Sequence, residues 1–390
     1  MTTVLDNIGL LVTNDSASWG GLLGIVRDAS VVFEGDRIVS VGASGQVADQ
    51  RIDAGGRCVV PGFVDSHSHL VFAGDRSDEF AARMAGAPYQ AGGINVSVDA
   101  TRSASASELE RLTAGRRAEA LRAGITTIEI KSGYGLDVET ERRSIEVASS
   151  LTNELTFLGA HVVPREYAGR PDAYIDLVCN DMLTAAVSAG ARWIDAFCEV
   201  GAFDADQCRE VLTTGAARGL GQRLHANQLG EGPGAQLAVE MGCASADHCT
   251  HLTDRDIEAL SAGRTVATLL PATDFSTRQP YPNARRLIDA GATVALATNC
   301  NPGSSFTTSM SFCMALAVRD MHMTAEEALW SATAGGARAL QRTDVGTVAA
   351  GAKADFVVLD APSYTHLVYR PGVPLIGTVI EAGVVRWALV

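Results

Sequence analysis

Two histidines one residue apart, His67 and His69, are the sharpest chemical feature of the chain. They follow the apolar run 59–64, which is typical of a buried strand. Residues i and i+2 of an extended chain point to the same side, so both imidazoles can bind one cation. Imidazole nitrogens suit Zn²⁺ and also iron. The alternative is a pair of ordinary polar residues after a strand.

Three further histidines end predicted strands and could join the same centre. His225 as a third ligand would complete the protein donors of a catalytic zinc site and leave a position for water. His248 could be a ligand, or the group that takes and returns a proton. His161 could donate a hydrogen bond to a carbonyl or to a developing oxyanion. For His225 and His161 the alternative is a core histidine that binds neighbouring groups. A cation held here would lower the pKa of its water to about 7 and polarise a carbonyl.

The segment 61–344 must position these side chains, because strand-like and helix-like stretches alternate along it. Eight βα units predict an α/β fold, a TIM (β/α)8 barrel, rather than a doubly wound sheet. The active face of such a barrel lies at the C-terminal ends of its strands, where the polar residues fall. The predicted strands are 59–65, 126–130, 155–159, 193–198, 223–225, 244–247, 266–270 and 293–298. The predicted helices include 104–122, 139–151, 171–189, 204–218, 234–241 and 325–340.

The two chain ends share a different pattern, with short β segments between turn residues. Chain termini often lie close together, so the ends are predicted to form one small β-sandwich domain. The expected domains are therefore a composite β-domain, 1–60 plus 345–390, and a metal-dependent barrel, 61–344.

The composition excludes several classes of protein. A formal net charge of −14 disfavours a nucleic-acid binder, since an acidic surface repels phosphate backbones. No apolar stretch is long enough to span a bilayer, and the first 25 residues lack the pattern of a targeting segment. The eight cysteines are scattered without a CxxC pair, which predicts reduced thiols in a cytoplasmic protein.

Several tracts together resemble the imidazolonepropionase family of the amidohydrolase superfamily. The tract PGFVDSHSHL, residues 61–70, is similar to the start of amidohydrolases in general. More specific tracts are VFAGDR (71–76), KSGYGL (131–136), LGAH (158–161), HANQL (225–229) and NPGS (301–304). The likeness covers nearly the whole chain, including the divided β-domain.

The resemblance implies hydrolysis of 4-imidazolone-5-propanoate to N-formimidoyl-L-glutamate, the third step of histidine degradation. It implies metal ligation by His67, His69 and His225, with Asn299 at the fourth position. The implied substrate-binding residues are Arg76, Tyr134, His161, Gln228, Asn301, Gly303 and Ser304. The expected catalytic residues are His248, Gln228 and His161.

Elementary chemistry agrees with these assignments. The planar fork of Arg76 can bind the carboxylate tail in bidentate fashion, although a surface salt bridge is the alternative. Tyr134 precedes Gly135, which would place its ring over the barrel mouth unless it only packs a loop. The turn Pro302-Gly303 would expose backbone N–H groups that can hold an anion or a carbonyl. A turn without any partner is the alternative there.

One metal ion per subunit is expected, divalent or trivalent, with Zn²⁺ favoured and iron as the alternative. Barrel hydrolases with two metals commonly bridge them through a carbamylated lysine on the fourth strand. The predicted fourth strand, 193–198, contains no lysine, and Lys131 ends the second strand.

Asn299 departs from the family pattern, which predicts an aspartate that ligates the metal and serves as base. An amide oxygen can bind a cation, but it cannot accept a proton and carries no negative charge. We therefore expect weaker metal binding and a less readily activated water. Three explanations stay open: an engineered change, a natural variant in which His248 alone is the base, and lost or altered activity. We hypothesise that His248 carries the proton transfer in any active form.

Two other functions stay open from the sequence. The chain could hydrolyse another cyclic amide or hydantoin-like ring, although Arg76, Tyr134 and His161 suit a ring that bears a propionate. It could also be a substrate-binding protein that has lost catalysis, which only Asn299 favours. The expected partners are a small-molecule substrate and a second copy of the chain, since homodimers are common, with neither nucleic acid nor membrane.

Overall fold

The computed structural model describes residues 1–86 and 93–389, which contain two eight-stranded sheets. The strands are β1 (Thr2–Val12), β2 (Ile25–Glu34), β3 (Arg37–Ala43), β4 (Gln50–Asp53), β5 (Cys58–Pro61), β6 (Phe63–Asp65), β7 (Ile125–Lys131), β8 (Glu154–Ala160), β9 (Trp193–Cys198), β10 (Gly221–Ala226), β11 (Ser245–His248), β12 (Val266–Leu269), β13 (Val294–Leu296), β14 (Phe356–Leu359), β15 (Ile376–Glu381) and β16 (Val384–Ala388).

The α-helices mostly follow the barrel strands. They are α1 (Ser16–Trp19), α2 (Ser77–Met84), α3 (Ile94–Ser103), α4 (Ala106–Arg122), α5 (Val138–Ser149), α6 (Pro171–Leu177), α7 (Leu183–Ser188), α8 (Ala205–Ala217), α9 (Gly234–Glu240), α10 (Asp254–Ala262), α11 (Pro271–Thr277), α12 (Ala284–Asp289), α13 (Met310–Asp320), α14 (Ala325–Trp330), α15 (Gly336–Ala339) and α16 (His366–Tyr369). Wider π turns at Val178–Met182 and Ser331–Gly335 join α6 to α7 and α14 to α15. In the described parts of the chain, no helix combines the length and apolar character needed to cross a membrane.

Strands β6 to β13 lie side by side in chain order, pair in parallel, and are each followed by at least one helix. Every residue of β7, β8 and β9 is buried, as expected for parallel strands with both faces covered. This arrangement confirms the predicted (β/α)8 barrel.

The barrel closes just beyond the ends of β6 and β13, at the residues of the predicted site. The backbone N–H of Asn299 donates to the carbonyl of His67 at 2.9 Å, and that of His69 donates to Cys300 at 2.9 Å. The carboxylate of Asp65 accepts from the backbone N–H of Thr298 at 3.0 Å and from its hydroxyl at 2.5 Å. The seam that closes the barrel therefore also positions the histidines that follow β6.

The two chain ends form the second sheet, in the order β16-β15-β14-β5-β1-β2-β3, with β4 paired to β1. Its apolar side chains pack into a core of their own, which includes Leu5, Val31, Val59, Phe356 and Ile380. A separate sheet from both termini beside a parallel barrel confirms the predicted fold class.

One predicted strand, 59–65, is divided between the two sheets. Cys58–Pro61 pairs with β1 and β14, whereas Phe63–Asp65 pairs with β7 in the barrel. Gly62 lies between them, where a Cβ atom would come within 2.1 Å of the Thr126 hydroxyl oxygen. Because both parts are buried, the apolar pattern gives no sign of the division.

Replacing Thr298 by valine tests the seam. The change leaves the buried Asp65 carboxylate with one donor fewer and removes the acceptor of the Cys300 N–H, 3.1 Å away. We expect the free energy of unfolding in urea to fall by about 1–3 kcal/mol, the cost of buried groups without partners. Thr213→Val on the exposed face of α8 is the control and should change it by less than about 0.5 kcal/mol. Equal stability of the two variants would contradict this account of closure.

Candidate metal centre

Three buried imidazoles converge at the C-terminal end of the barrel. The Nε2 atom of His69 lies 3.2 Å from that of His67 and 3.4 Å from that of His225. All three side chains are buried. Three ring nitrogens that meet so closely cannot all be satisfied by one another, whereas one cation can bind a lone pair from each. The donor set therefore fits a metal ion.

Buried carboxylates lie against the Nδ1 atoms of two of these rings. Nδ1 of His67 donates to Oδ2 of Asp247 at 2.7 Å, which leaves Nε2 with its lone pair for a ligand bond. Nδ1 of His225 lies 3.0 Å from Oδ2 of Asp195. Burial lowers the pKa of His67 and of His69 well below its usual value, and nearby positive charge lowers it further. Both rings are therefore neutral, the state that binds metals.

A cluster of buried charges surrounds those two carboxylates. Burial alone would raise the pKa of Asp247, but Arg223 and His67 hold it well below its usual value. Burial would lower the pKa of Lys131, but Asp195 and Glu129 raise it above its usual value. The interior of the barrel is therefore ionic.

The structure brings the predicted site residues together around one cavity. Its lining includes His69, Arg76, Tyr134, His161, His225, Gln228, His248, Asn299, Asn301 and Ser304. His67 lies behind this wall, fully buried. Gly303 borders an adjoining cavity with Arg76 and Ser304. The individual roles of these residues stay predictions.

Tyr134 and His161 are positioned by a buried carboxylate. Glu141 accepts hydrogen bonds from the backbone N–H groups of Gly133, Gly135 and Leu136, which shapes the loop that carries Tyr134. The ring centroid of Tyr134 lies 5.6 Å from that of His161.

His161 stacks on His69 with a centroid distance of 5.5 Å, and its Nδ1 lies 2.8 Å from the carbonyl oxygen of Gly133. A carbonyl only accepts, so Nδ1 carries the hydrogen and Nε2 of the neutral ring is an acceptor. Desolvation lowers the pKa of His161 to about 4, so the ring is neutral at pH 7. In this tautomer Nε2 would accept rather than donate a hydrogen bond, and the role of His161 toward the substrate stays a prediction.

Asn299 and His248 both have left-handed backbone conformations, with φ of 50° and 82°. Nδ2 of Asn299 donates to the Thr273 hydroxyl at 2.8 Å, and its buried Oδ1 has no hydrogen-bond partner in the described residues. That oxygen is available to a cation. The ring centroid of His248 lies 5.3 Å from that of His225, outside the group of three close ligand atoms. Such backbone strain is typical of functional positions.

The turn after Asn301 is organised differently from the prediction. Oδ1 of Asn301 accepts from the backbone N–H groups of Gly303, at 2.9 Å, and Ser304, at 2.8 Å. The expectation that these N–H groups are exposed for a ligand is wrong, because the asparagine side chain already binds them. Nδ2 of Asn301 donates to the carbonyl of Asn299 at 2.7 Å, which ties this turn to the barrel seam.

Arg76 is held from one side. Its Nε and Nη2 both donate to Glu79 at 2.8 Å, so one edge of the fork is occupied within the chain. A Cβ atom on Gly303 would come within 2.1 Å of Nη1, so the guanidinium lies directly against this glycine.

Several functional residues escape the sequence argument. Glu199 accepts from the backbone N–H groups of Gln228, at 2.9 Å, and Leu229, at 2.8 Å, and so holds the loop that carries Gln228. Asp195 lies within the otherwise apolar strand β9, and Arg223 is a buried residue of β10. A charged residue inside a buried strand is the one pattern that would have revealed them.

Comparison with known proteins agrees with this geometry. The sequence profile described as "Amidohydrolase family" matches residues 211–385. The imidazolonepropionase of Mycolicibacterium smegmatis is 62% identical over 390 residues, which cover 99% of this chain and 98% of that protein. The imidazolonepropionase of Salinispora tropica is 64% identical over 386 residues, which cover 98% of each. The structure of atrazine chlorohydrolase TrzN from Arthrobacter aurescens TC1 complexed with zinc has a TM-score of 0.71 at 17% identity, covering 98% of this chain and 94% of that one.

The parallel barrel, its histidine cluster and the profile match define an amidohydrolase. Relatives named imidazolonepropionase share more than half of their residues with nearly the whole chain. The chain belongs to the imidazolonepropionase family. The resemblance inferred from the sequence tracts is thereby confirmed.

Glu141→Gln tests how the loop around Tyr134 is held. The amide can replace only part of the acceptor capacity that serves three backbone N–H groups, so we expect a loss of about 1–3 kcal/mol of unfolding free energy. Hydrogen exchange at the amides of Gly135 and Leu136 should become faster. Glu146→Gln, on the exposed face of the same helix, loses only a surface ion pair with Arg142, so it should change the unfolding free energy by less than about 0.5 kcal/mol and leave the exchange unchanged. Unchanged exchange in the Glu141 variant would show that the carboxylate does not hold the loop.

Proposed function

We propose that the chain is a metal-dependent hydrolase that opens the ring amide of 4-imidazolone-5-propanoate to N-formimidoyl-L-glutamate, in the degradation of histidine. The observation that carries this proposal is the convergence of three imidazoles in a chain 62% identical to an imidazolonepropionase along nearly its full length. Other cyclic amides are not favoured by this likeness.

The three imidazoles and Oδ1 of Asn299 are the proposed ligands of one metal ion. A set of three nitrogens and one oxygen suits a divalent cation, with Zn²⁺ the first choice and iron the alternative. When bound, the ion supplies a water of lowered pKa and polarises the ring carbonyl. The zinc in the structure of atrazine chlorohydrolase TrzN agrees with this choice.

The chain's own residues would hold the substrate by both of its ends. The Nη1 edge of Arg76, together with Tyr134, would bind the propionate tail. Nε2 of His161 would accept a hydrogen bond from a ring N–H, since its Nδ1 is engaged with Gly133. Gln228 and Asn301 complete the polar wall of the cavity.

Proton transfer is assigned to His248. Asn299 cannot accept a proton, and His248 is the remaining imidazole in the cavity that neither ligates nor stacks on a ligand ring. His248 would take a proton from the attacking water and return it to the departing ring nitrogen.

We also propose that the enzyme is a cytoplasmic homodimer that binds no nucleic acid and no membrane. All eight cysteines are free and buried, which suits a reducing compartment. The net charge of −14 disfavours nucleic acid. Light scattering coupled to size exclusion tests the dimer directly.

The function is tested by metal analysis and an assay on the same preparation. We expect about one Zn²⁺ or iron ion per chain, loss of imidazolone absorbance on adding substrate, no activity after chelation, and recovery on adding metal back. Asn299→Asp restores a charged ligand and should tighten metal binding about tenfold or more while raising kcat.

Inactivity of both the metal-loaded protein and its Asn299→Asp variant would refute the proposed reaction. Tight substrate binding by both without turnover would instead identify a binding protein. Activity that survives replacement of His248 by glutamine would refute its role in proton transfer.

Gly303→Ala tests the proposed contact of Arg76 with the substrate tail. The added methyl group must displace the guanidinium, so a charge-assisted hydrogen bond worth about 1.5–3 kcal/mol is lost. We expect KM to rise about 10- to 100-fold and kcat to change much less. Gly230→Ala is the control, because a Cβ atom there meets nothing within 4 Å. An equal KM in the two variants would show that Arg76 does not bind the propionate tail of the substrate.

A further inference from the structure

Five charged side chains without solvent exposure fill the barrel interior beside the three histidines. They come from four strands of the barrel: Glu129 and Lys131 from β7, Asp195 from β9, Arg223 from β10 and Asp247 from β11. None of them lines the cavity in which substrate would bind. Their role must therefore be exerted through other residues.

Lys131 is the centre of this cluster. Its Nζ lies 2.8 Å from Oε1 of Glu129, 2.8 Å from Oδ2 of Asp195 and 3.8 Å from Oδ2 of Asp247. A compact ammonium with three donors suits a position between three carboxylates. The cation thereby binds the two aspartates that also contact ligand imidazoles.

Arg223 is the second cation beside Asp247. Its Nη2 lies 3.3 Å from Oδ2 of Asp247 and donates to the carbonyl of Ser66 at 2.7 Å, while Nη1 donates to Ala339 at 2.9 Å. The backbone carbonyls fix the guanidinium, and the guanidinium fixes the carboxylate. Asp247 is therefore held by two cations while it accepts from His67 at 2.7 Å.

The energetics of burial point to a role beyond stability. Desolvation of buried ions is costly, and well-packed apolar residues in their place are often neutral or stabilising. Three carboxylates face two cations here, which leaves a net charge of minus one beside the imidazoles. That negative charge favours binding of a divalent ion. Lys131 and Arg223 also hold the two aspartates in contact with the Nδ1 atoms of the imidazole rings.

We propose that Lys131 is a positioning residue of the metal centre: its ammonium holds Asp195 against His225 and, together with Arg223, Asp247 against His67, so that both Nε2 atoms face one cation. The inference rests on the metal site of the proposed function. It assigns a task to the lysine of the KSGYGL tract, beyond filling the space between strands.

The test compares metal affinity with stability in full-length protein stripped of metal. The variants are Lys131→Met, Asp195→Asn, and the charge-balanced double variant Lys131→Met with Glu129→Gln. Dissociation constants for Zn²⁺ and Co²⁺ are measured by competition with a chromophoric chelator. The visible spectrum of bound Co²⁺ reports ligand geometry, and thermal unfolding reports stability.

We expect Lys131→Met and Asp195→Asn each to weaken metal binding about 10- to 100-fold and to alter the Co²⁺ spectrum. The double variant should regain much of the melting temperature, because it removes a carboxylate along with the cation, but not the affinity. Arg342→Met is the control: Arg342 pairs with Glu154 and Asp344 away from the histidines. It should lower the melting temperature and leave metal affinity unchanged.

Each contrary outcome has a distinct meaning. The inference is overturned if Lys131→Met and Asp195→Asn bind the metal ions within about threefold of the parent and show unchanged Co²⁺ spectra. That result leaves the proposed function intact. Recovery of affinity together with stability in the double variant also overturns it, since charge balance alone would then explain Lys131. If Lys131→Met does not fold, the other two variants decide by the same criteria. A parent protein that binds neither ion refutes the metal site itself.

Discussion

The buried Nε2 atom of His69 lies 3.2 Å from that of His67 and 3.4 Å from that of His225, and this approach is the constraint on which the rest of the structure depends. One cation fits such an arrangement, because it can accept a lone pair from each of the three nitrogens. Two of the rings follow β6, and the third belongs to β10 across the barrel. The hydrogen bonds that close the barrel run through the backbone of His67 and His69, so the fold cannot close without placing these ligands. Closure of the barrel and placement of the ligand histidines therefore depend on the same hydrogen bonds.

Buried carboxylates do most of the positioning around this centre. Asp195 and Asp247 orient imidazoles from within the barrel, while Glu141 and Glu199 bind backbone N–H groups of loops at its mouth. The two glutamates accept hydrogen bonds from N–H groups beyond the ends of strands, and each thereby holds a loop that carries a residue facing the cavity. The barrel strands form a rigid scaffold. The acidic side chains connect Tyr134, Gln228 and the ligand rings to this scaffold and so define their positions.

The sequence predicts the fold class and which residues line the cavity, because both follow from short-range patterns. Alternating apolar segments predict the strands, and the spacing of His67 and His69 places both rings on one side. The division of 59–65 between two sheets is hidden, since both halves are buried. The tautomer of His161 and the closed turn at Asn301 depend on hydrogen bonds whose partners a pattern of residue types does not specify. The ionic interior is hidden for the same reason, as its members come from different strands.

The central claim is that imidazoles from β10 and from the chain after β6 bind one ion. X-ray absorption spectroscopy at the zinc edge of the zinc-loaded protein tests it most directly. The account predicts three imidazole nitrogens at about 2.0–2.1 Å, with scattering from the outer atoms of their rings, and oxygen ligands for the remainder. A spectrum with sulfur at about 2.3 Å, or with fewer than three imidazoles, would contradict it.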